Sequence, residues 1–159
     1  MKEPLLLRIS LDLSDEAQSV PICRGTLRYL LQALAVEQER ASDIELALSE
    51  ATGNVVRHAY AEHGNRYLVG IEFYAQRVRL VIRDEGRGFN RAARSEPDLD
   101  SLGGRGLWII ERLANAVAIS TLPGGGCCLE AEFALPTRIE FAPMPCEDDG
   151  CSEVSILER

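Results

Sequence analysis

Three short segments of this chain carry residue types that can do chemistry. They run in the order Glu50 to Asn54, Asp84 to Gly88 and Gly103 to Leu107. Asp84 closes an alternating run in which Val78, Leu80 and Ile82 share a strand face, so its parity points the carboxylate toward the core. A buried carboxylate without a partner costs several kcal/mol. The next residues are Glu85-Gly86-Arg87-Gly88-Phe89, and Gly86 and Gly88 let the backbone bend sharply and approach a flat ligand. Two readings fit: an acceptor for an exocyclic amine such as adenine's, or a satisfied core aspartate before a glycine turn. Glu50 and Asn54 are four apart and lie on one helix face, where a carboxylate and an amide oxygen can act as general base and as ligand to a hard cation such as Mg²⁺. A solvated helix edge fits the same spacing. His58 continues the line and reads as a helix-end residue that caps carbonyls. Gly103-Gly104-Arg105-Gly106-Leu107 precedes a helical pattern, and glycines there expose the free N–H groups that favour phosphate. A flexible hinge is the other reading. The sequence contains no G-x-x-x-x-G-K-[ST], and neither glycine cluster completes G-x-G-x-x-G.

The elements that must position these residues alternate between two periods. Leu5, Leu7, Ile9 and Leu11 read as one strand face. A helix follows with Leu27, Leu30, Leu31 and Leu34 at helical spacing and Pro21 in its first turn. Ser42-Asp43-Ile44-Glu45 predicts a capping box opening a second helix, with Ile44, Ala47, Leu48, Ala51, Val55 and Ala59 as its stripe and Gly64 as its end. Two strands then meet in a tight connection near Gln76, with Tyr67, Val69, Ile71 and Phe73 on one face of the first. A polar, glycine-rich segment from Asp84 to Gly104 reads as a loop. A third helix is expected from about Arg105 to Asn115, with Trp108 in the core. Two last strands pair across Pro123-Gly124-Gly125-Gly126. Strands with one apolar and one polar face imply a two-layer α+β sandwich, its sheet mixed or antiparallel and covered on one side by helices. The domain is expected over residues 1–136, with an acidic, proline-containing tail over 137–159.

Composition narrows the class. The 159 residues are 46% hydrophobic and 26% charged, which fits one ordinary folded domain. Seventeen Lys and Arg against 25 Asp and Glu give a net charge of −8, which argues against direct nucleic-acid binding. No apolar run approaches the roughly 18 residues of a membrane span, and the N-terminal Leu5-Leu6-Leu7 run is too short for a signal peptide. A cytoplasmic protein is expected. Five cysteines, an odd number, argue against a disulfide framework. Cys127 reads as a small core filler, and a zinc site using Cys128, Cys146 and Cys151 has little support without a histidine nearby.

The three segments in this order resemble a known family. Glu50-Ala51-Thr52-Gly53-Asn54-Val55-Val56-Arg57-His58-Ala59-Tyr60 resembles the N box of the GHKL (histidine kinase-like) ATPase and kinase superfamily. Asp84-Glu85-Gly86-Arg87-Gly88-Phe89 resembles its G1 box, and Gly104-Arg105-Gly106-Leu107 its G2 box. The Glu-x-x-x-Asn-x-x-x-His-Ala form in a small chain is similar to the bacterial anti-sigma factor serine-protein kinases. Sensor histidine kinases usually show Asn where Glu50 stands. The resemblance covers about residues 5–135.

It implies a GHKL-type sandwich with three helices on one face of a mostly antiparallel sheet. Asp84 would receive the adenine amino group, with Gly86 and Gly88 shaping the pocket. Asn54 would hold Mg²⁺ against the phosphates of ATP, and Glu50 would deprotonate a serine on a partner protein. Residues 90–103 would form a lid, with Gly104, Gly106 and Leu107 at the phosphates and Arg105 neutralising the transferring phosphoryl group. Arg24 is the nearest match to a partner-contacting arginine of the first helix. The implied partners are an anti-anti-sigma phosphoacceptor and a sigma factor, with a homodimer possible. A nucleotide-gated binding module without phosphotransfer is the competing expectation.

Overall fold

The computed structural model describes residues 3–59, 65–86 and 105–141. In chain order the elements are β1 (Leu5–Ser14), α1 (Ser19–Ala33), α2 (Gln38–Asn54), a single π-helical turn (Val55–Ala59), β2 (Arg66–Tyr74), β3 (Arg77–Asp84), α3 (Arg105–Leu113), β4 (Ala116–Thr121) and β5 (Cys127–Ala134). The sheet has the order β1-β2-β3-β5-β4, and every neighbouring pair is antiparallel. The α+β sandwich read from strand patterning is therefore the fold, with a wholly antiparallel sheet rather than a mixed one.

The core lies between one sheet face and the helices. Tyr67, Val69, Ile71 and Phe73 of β2 and Val78, Leu80 and Ile82 of β3 are buried as parity requires. They meet Leu27 and Leu31 of α1, Ile44 and Leu48 of α2, Ile110 of α3 and Phe133 of β5. The first strand departs from its expected stripe. A register irregularity between Leu5 and Leu7 leaves Leu5 exposed, while Leu6 and Leu7 both pack against the core.

Two helix expectations are corrected. The second helix starts a turn before the Ser42 capping box, and Ser42 Oγ donates to the Gln38 carbonyl (2.9 Å) from inside it. The reason is tertiary. Arg40, in that added turn, donates to the carbonyls of Ala134 and Leu113 (both 2.9 Å) and to Asn115 Oδ1, with its guanidinium 5.3 Å from the Phe133 ring. One arginine thus ties the starts and ends of three elements, which outweighs a local cap. At its other end α2 stops at Asn54 and widens into the π turn; Gly64 lies outside the described residues.

Trp108 is also corrected: it is 44% exposed, with the Arg112 guanidinium 5.1 Å from its ring. Gly106 and Ile110 occupy the inward face of this short helix, and Trp108, two residues from each, falls on the opposite side. Packing also continues beyond residue 136. Leu135 and Ile139 are buried, and their N–H groups donate to Gln76 and Ala75 carbonyls (2.8 and 2.7 Å). The expected tail thus begins with a docked segment; Cys146 and Cys151 lie outside the described residues.

Candidate functional site

The C-terminal turn of α2 presents Glu50 and Asn54 one turn apart, as their spacing requires. Against them sits the start of α3. A Cβ placed on Gly106 would lie 2.9 Å from Glu50 Oε2, 3.0 Å from Asn54 Nδ2 and 3.2 Å from Asn54 Oδ1. These are closer than ordinary contact, so the absence of a side chain at 106 lets the two segments meet. Gly106 is buried, Arg105 opens the helix on its exposed side, and Leu107 is half-buried. The helix start brings its positive dipole end to the carboxylate and amide.

The second group lies at the end of β3. Asp84 is only 7% exposed, and its carboxylate accepts the Gly86 N–H (2.9 Å) and the Cys127 N–H. Burial pushes its pKa above the usual aspartate range, and the two N–H bonds offset part of that rise. Tyr67, Asp84, Cys127 and Thr121 form one row across β2, β3, β5 and β4. Cys127 is half-buried beside Asp84, with its thiol pushed up to about 11 chiefly by burial, so it is a poor nucleophile. Tyr67 shares a buried hydrogen bond with Ser19 (2.7 Å), which fastens α1 to this end of the sheet.

Of the residues singled out in the sequence, Glu50, Asn54 and Gly106 come into contact, while Asp84 and Gly86 form the separate group on the strand end. Arg24 stands apart, exposed on α1, while exposed Ile22 and Tyr29 lie nearly half a turn round the same helix from it. Gly88, Gly104 and the 90–103 lid lie outside the described residues.

Two further residues touch these groups and are not singled out by the sequence. Gly126, at φ 86°, packs against the backbone of Asp84 and Glu85 so tightly that a Cβ would collide with the Asp84 carbonyl oxygen. The triple glycine reads as a turn in the sequence; its second role, a close backbone approach, is a known use of glycine but needs the β3–β5 pairing to be seen. Arg57 Nη2 donates to Asn54 Oδ1 (3.3 Å) and lies 4.0 Å from Glu50 Oε2. Its place three residues after Asn54 was the available signal.

The donors suit a hard cation held jointly with a ligand. Asn54 Oδ1 and the Glu50 carboxylate are oxygen donors, and no group of three or more His, Cys, Asp or Glu side chains is assembled among the described residues. A Mg²⁺ at Asn54 would therefore take most of its shell from phosphate and water, which is how Mg²⁺ is commonly held at nucleotides. No helix among the described residues is long and apolar enough to cross a membrane.

An antiparallel sheet backed by helices carries a buried acceptor at a strand end and a carboxamide facing a glycine helix start, the arrangement expected of the GHKL-type nucleotide-binding domain that the sequence resembles. Residues 13–132 match the family model described as a histidine kinase-like ATPase domain, and the chain belongs to that family. It is 29% identical to serine-protein kinase RsbW of Staphylococcus aureus, covering 73% of this chain and 80% of that protein. The RsbW of Staphylococcus epidermidis is 28% identical, covering 70% and 77%. Among solved structures, the RsbU and RsbW domains of Rv1364c from Mycobacterium tuberculosis align with a TM-score of 0.60 at 22% identity, over 86% of this chain; the chain spans 35% of that longer protein. The SiaB–SiaC complex of Pseudomonas aeruginosa gives 0.59 at 19% identity, over 81% of this chain and 89% of that one. These two likenesses support the fold.

Proposed function

We propose that this protein is an ATP-dependent protein-serine kinase that acts as an anti-sigma factor, sequestering a sigma factor and phosphorylating an anti-anti-sigma partner on serine. The observation that carries the reading is Glu50, a carboxylate one turn from Asn54 and against Gly106. The names of the RsbW relatives support the serine as acceptor.

In this mechanism Asp84 accepts a hydrogen bond from the adenine amino group, while Gly86 and Gly88 keep the backbone close to the ring. Gly104, Gly106 and Leu107 present the N-terminal end of α3 to the phosphates. Mg²⁺, held through Asn54, neutralises phosphate charge when bound. Glu50 takes the proton of the incoming serine hydroxyl as its oxygen bonds to the γ-phosphorus and the bond to the ADP oxygen breaks. Arg105 offsets charge on the transferring phosphoryl group.

Arg24, exposed on α1, contacts the protein partners. The kinase domain, 1–136 with its docked extension to Ile139, functions in the cytoplasm, where sigma factors act, and as a homodimer. The 23 residues from 137 carry the acidic run Glu147-Asp148-Asp149.

The test is single-turnover transfer of γ-phosphate from saturating ATP to an anti-anti-sigma protein. Glu50→Ala is expected to bind Mg-ATP and lose transfer by about 10²–10⁴-fold. Transfer unchanged in Glu50→Ala removes the base. A wild-type protein that binds its partner only with ATP yet transfers nothing is a nucleotide-gated binding module.

A further inference from the structure

Gly53 sits inside α2, where glycine is less favourable than alanine. Its surroundings show what the missing side chain makes room for. A Cβ on Gly53 would lie 2.9 Å from Arg57 Nη1, 3.1 Å from Nη2 and 3.3 Å from Cζ. The guanidinium therefore lies flat across the helix surface over Gly53. From there Nη2 donates to Asn54 Oδ1 at 3.3 Å and stands 4.0 Å from Glu50 Oε2. The same two side chains face Gly106.

We infer that Arg57, seated on Gly53, is a positioning residue that stands in for the metal ion at Glu50 and Asn54 until the metal-nucleotide complex arrives. The inference rests on the nucleotide reading above. In the structure the positive charge beside these oxygens is a guanidinium. It offsets the Glu50 carboxylate and holds the Asn54 amide with its oxygen turned toward positive charge. A divalent cation seeking Asn54 Oδ1 meets this guanidinium as a like charge at close range. The metal and Arg57 therefore compete for one oxygen, and metal binding must carry the cost of displacing the arginine. Arg57 is 56% exposed and Glu50 28%, so the contact is solvent-screened. Partly exposed pairs of this kind change an equilibrium constant by about 1.5- to 5-fold.

The π turn contributes to this arrangement. Asn54 ends the α-helical part of the segment, and Arg57 sits in the middle of the wider turn, Val55–Ala59. Gly53 has no side chain to hold the guanidinium off the helix surface, so the partly exposed side chain can lie back over it.

The experiment uses the full chain with saturating ADP and titrates Mg²⁺, reading nucleotide-bound metal by calorimetry. Arg57→Met is expected to lower the Mg²⁺ midpoint by about 1.5- to 5-fold, because the competing cation is gone. Gly53→Ala keeps the charge but fills the seat, and is expected to shift the midpoint in the same direction. Arg57→Lys, which keeps a cation without the planar fork, should fall between Met and wild type. In parallel, the Asn54 side-chain amide signals of the nucleotide-free protein are followed by NMR. They are expected to move in Arg57→Met and Gly53→Ala toward their Mg-ADP positions.

A merely structural Arg57 predicts a different pattern: reduced thermal stability with an unchanged Mg²⁺ midpoint. An unchanged or raised midpoint in both Arg57→Met and Gly53→Ala overturns the inference while leaving the nucleotide reading intact. A wild-type chain that binds neither ADP nor ATP overturns the nucleotide reading, and with it the competition.

Discussion

Replacing Gly106 by alanine adds one methyl group where the N-terminal end of α3 meets α2, and its consequences can be worked from the contacts. The new carbon would lie 2.9 Å from Glu50 Oε2 and 3.0 to 3.2 Å from the Asn54 amide atoms, where ordinary contact begins near 3.4 Å. All three crowded atoms are ends of side chains, so the backbone need not move; Glu50 and Asn54 give way by a few tenths of an ångström to about half an ångström. The stability effect is small, because alanine regains part of the roughly 1 kcal/mol that glycine forfeits in a helix. A melting temperature within about 4 °C of wild type is expected. Binding fares worse. A misplacement of about 1 Å in a reacting group can cost 10²-fold in rate, and here the proposed base and the proposed metal-binding amide both shift while the methyl occupies the space they share at the start of α3. We expect Mg-dependent ATP affinity to fall about 10- to 100-fold, measured by calorimetry alongside thermal melts. Unchanged affinity in a folded Gly106→Ala protein would refute the assignment of this contact to the phosphate end of the site. A melting temperature lower by more than 10 °C would show that Gly106 serves packing instead.

Four other outcomes follow from the structure. Asp84→Asn is expected to weaken ATP binding by roughly 10- to 150-fold, the value of a lost charge-assisted hydrogen bond, in a titration of fluorescent ATP. Because burial raises the Asp84 pKa in the folded protein, the stability it contributes is fully present below the ordinary aspartate value and is lost as pH rises through the raised one. Urea unfolding of wild type should show that decline, and Asp84→Asn should lack it. Asn54→Ala should weaken nucleotide binding in Mg²⁺ far more than in EDTA, which a paired equilibrium dialysis would show. Ile139→Ala should lower stability by about 2–4 kcal/mol in denaturant titrations while leaving ATP affinity of the folded protein unchanged.

The fold was largely legible because its strands have a single wet face. Alternation in Tyr67 to Phe73 and Val78 to Ile82 placed both strands, their faces and the inward parity of Asp84. The juxtaposition at the candidate site was legible in pieces, since Glu50 and Asn54 lie a helical turn apart and Gly106 falls at the start of a helix. What stayed hidden depended on distant partners. Ser42 looked like a cap because nothing local reveals that Arg40 binds carbonyls on α3 and β5. Trp108 looked like core because size and apolarity do not say which side of a nine-residue helix faces inward. Ile139 lies between Arg138 and Glu140, and its burial in the core and backbone bond to Ala75 appear only once the chain is folded. Gly126 and Arg57 act across space on Asp84 and Asn54, so their roles appear once strands and turns are assembled.

The face of the sheet turned away from the helices bears on how the chain finds its pairing. Arg8, Glu72, Arg79 and Glu132 stand directly opposite one another on β1, β2, β3 and β5, one row of alternating sign across four strands. Glu72 is buried there. Desolvation works to raise its pKa, but the Tyr74 hydroxyl, Arg8 and Arg79 together hold it below the usual range. The apolar face alone tolerates a slip of two residues, since a period-two pattern repeats after every such step. Either slip between β2 and β3 would carry Arg79 away from Glu72, to face Gly70 or Tyr74. The charged row thus acts as a vernier during folding, rejecting the near-miss alignments that hydrophobic collapse by itself would accept. Raising salt should blunt that selection and slow refolding, as misregistered hairpins persist longer before they correct.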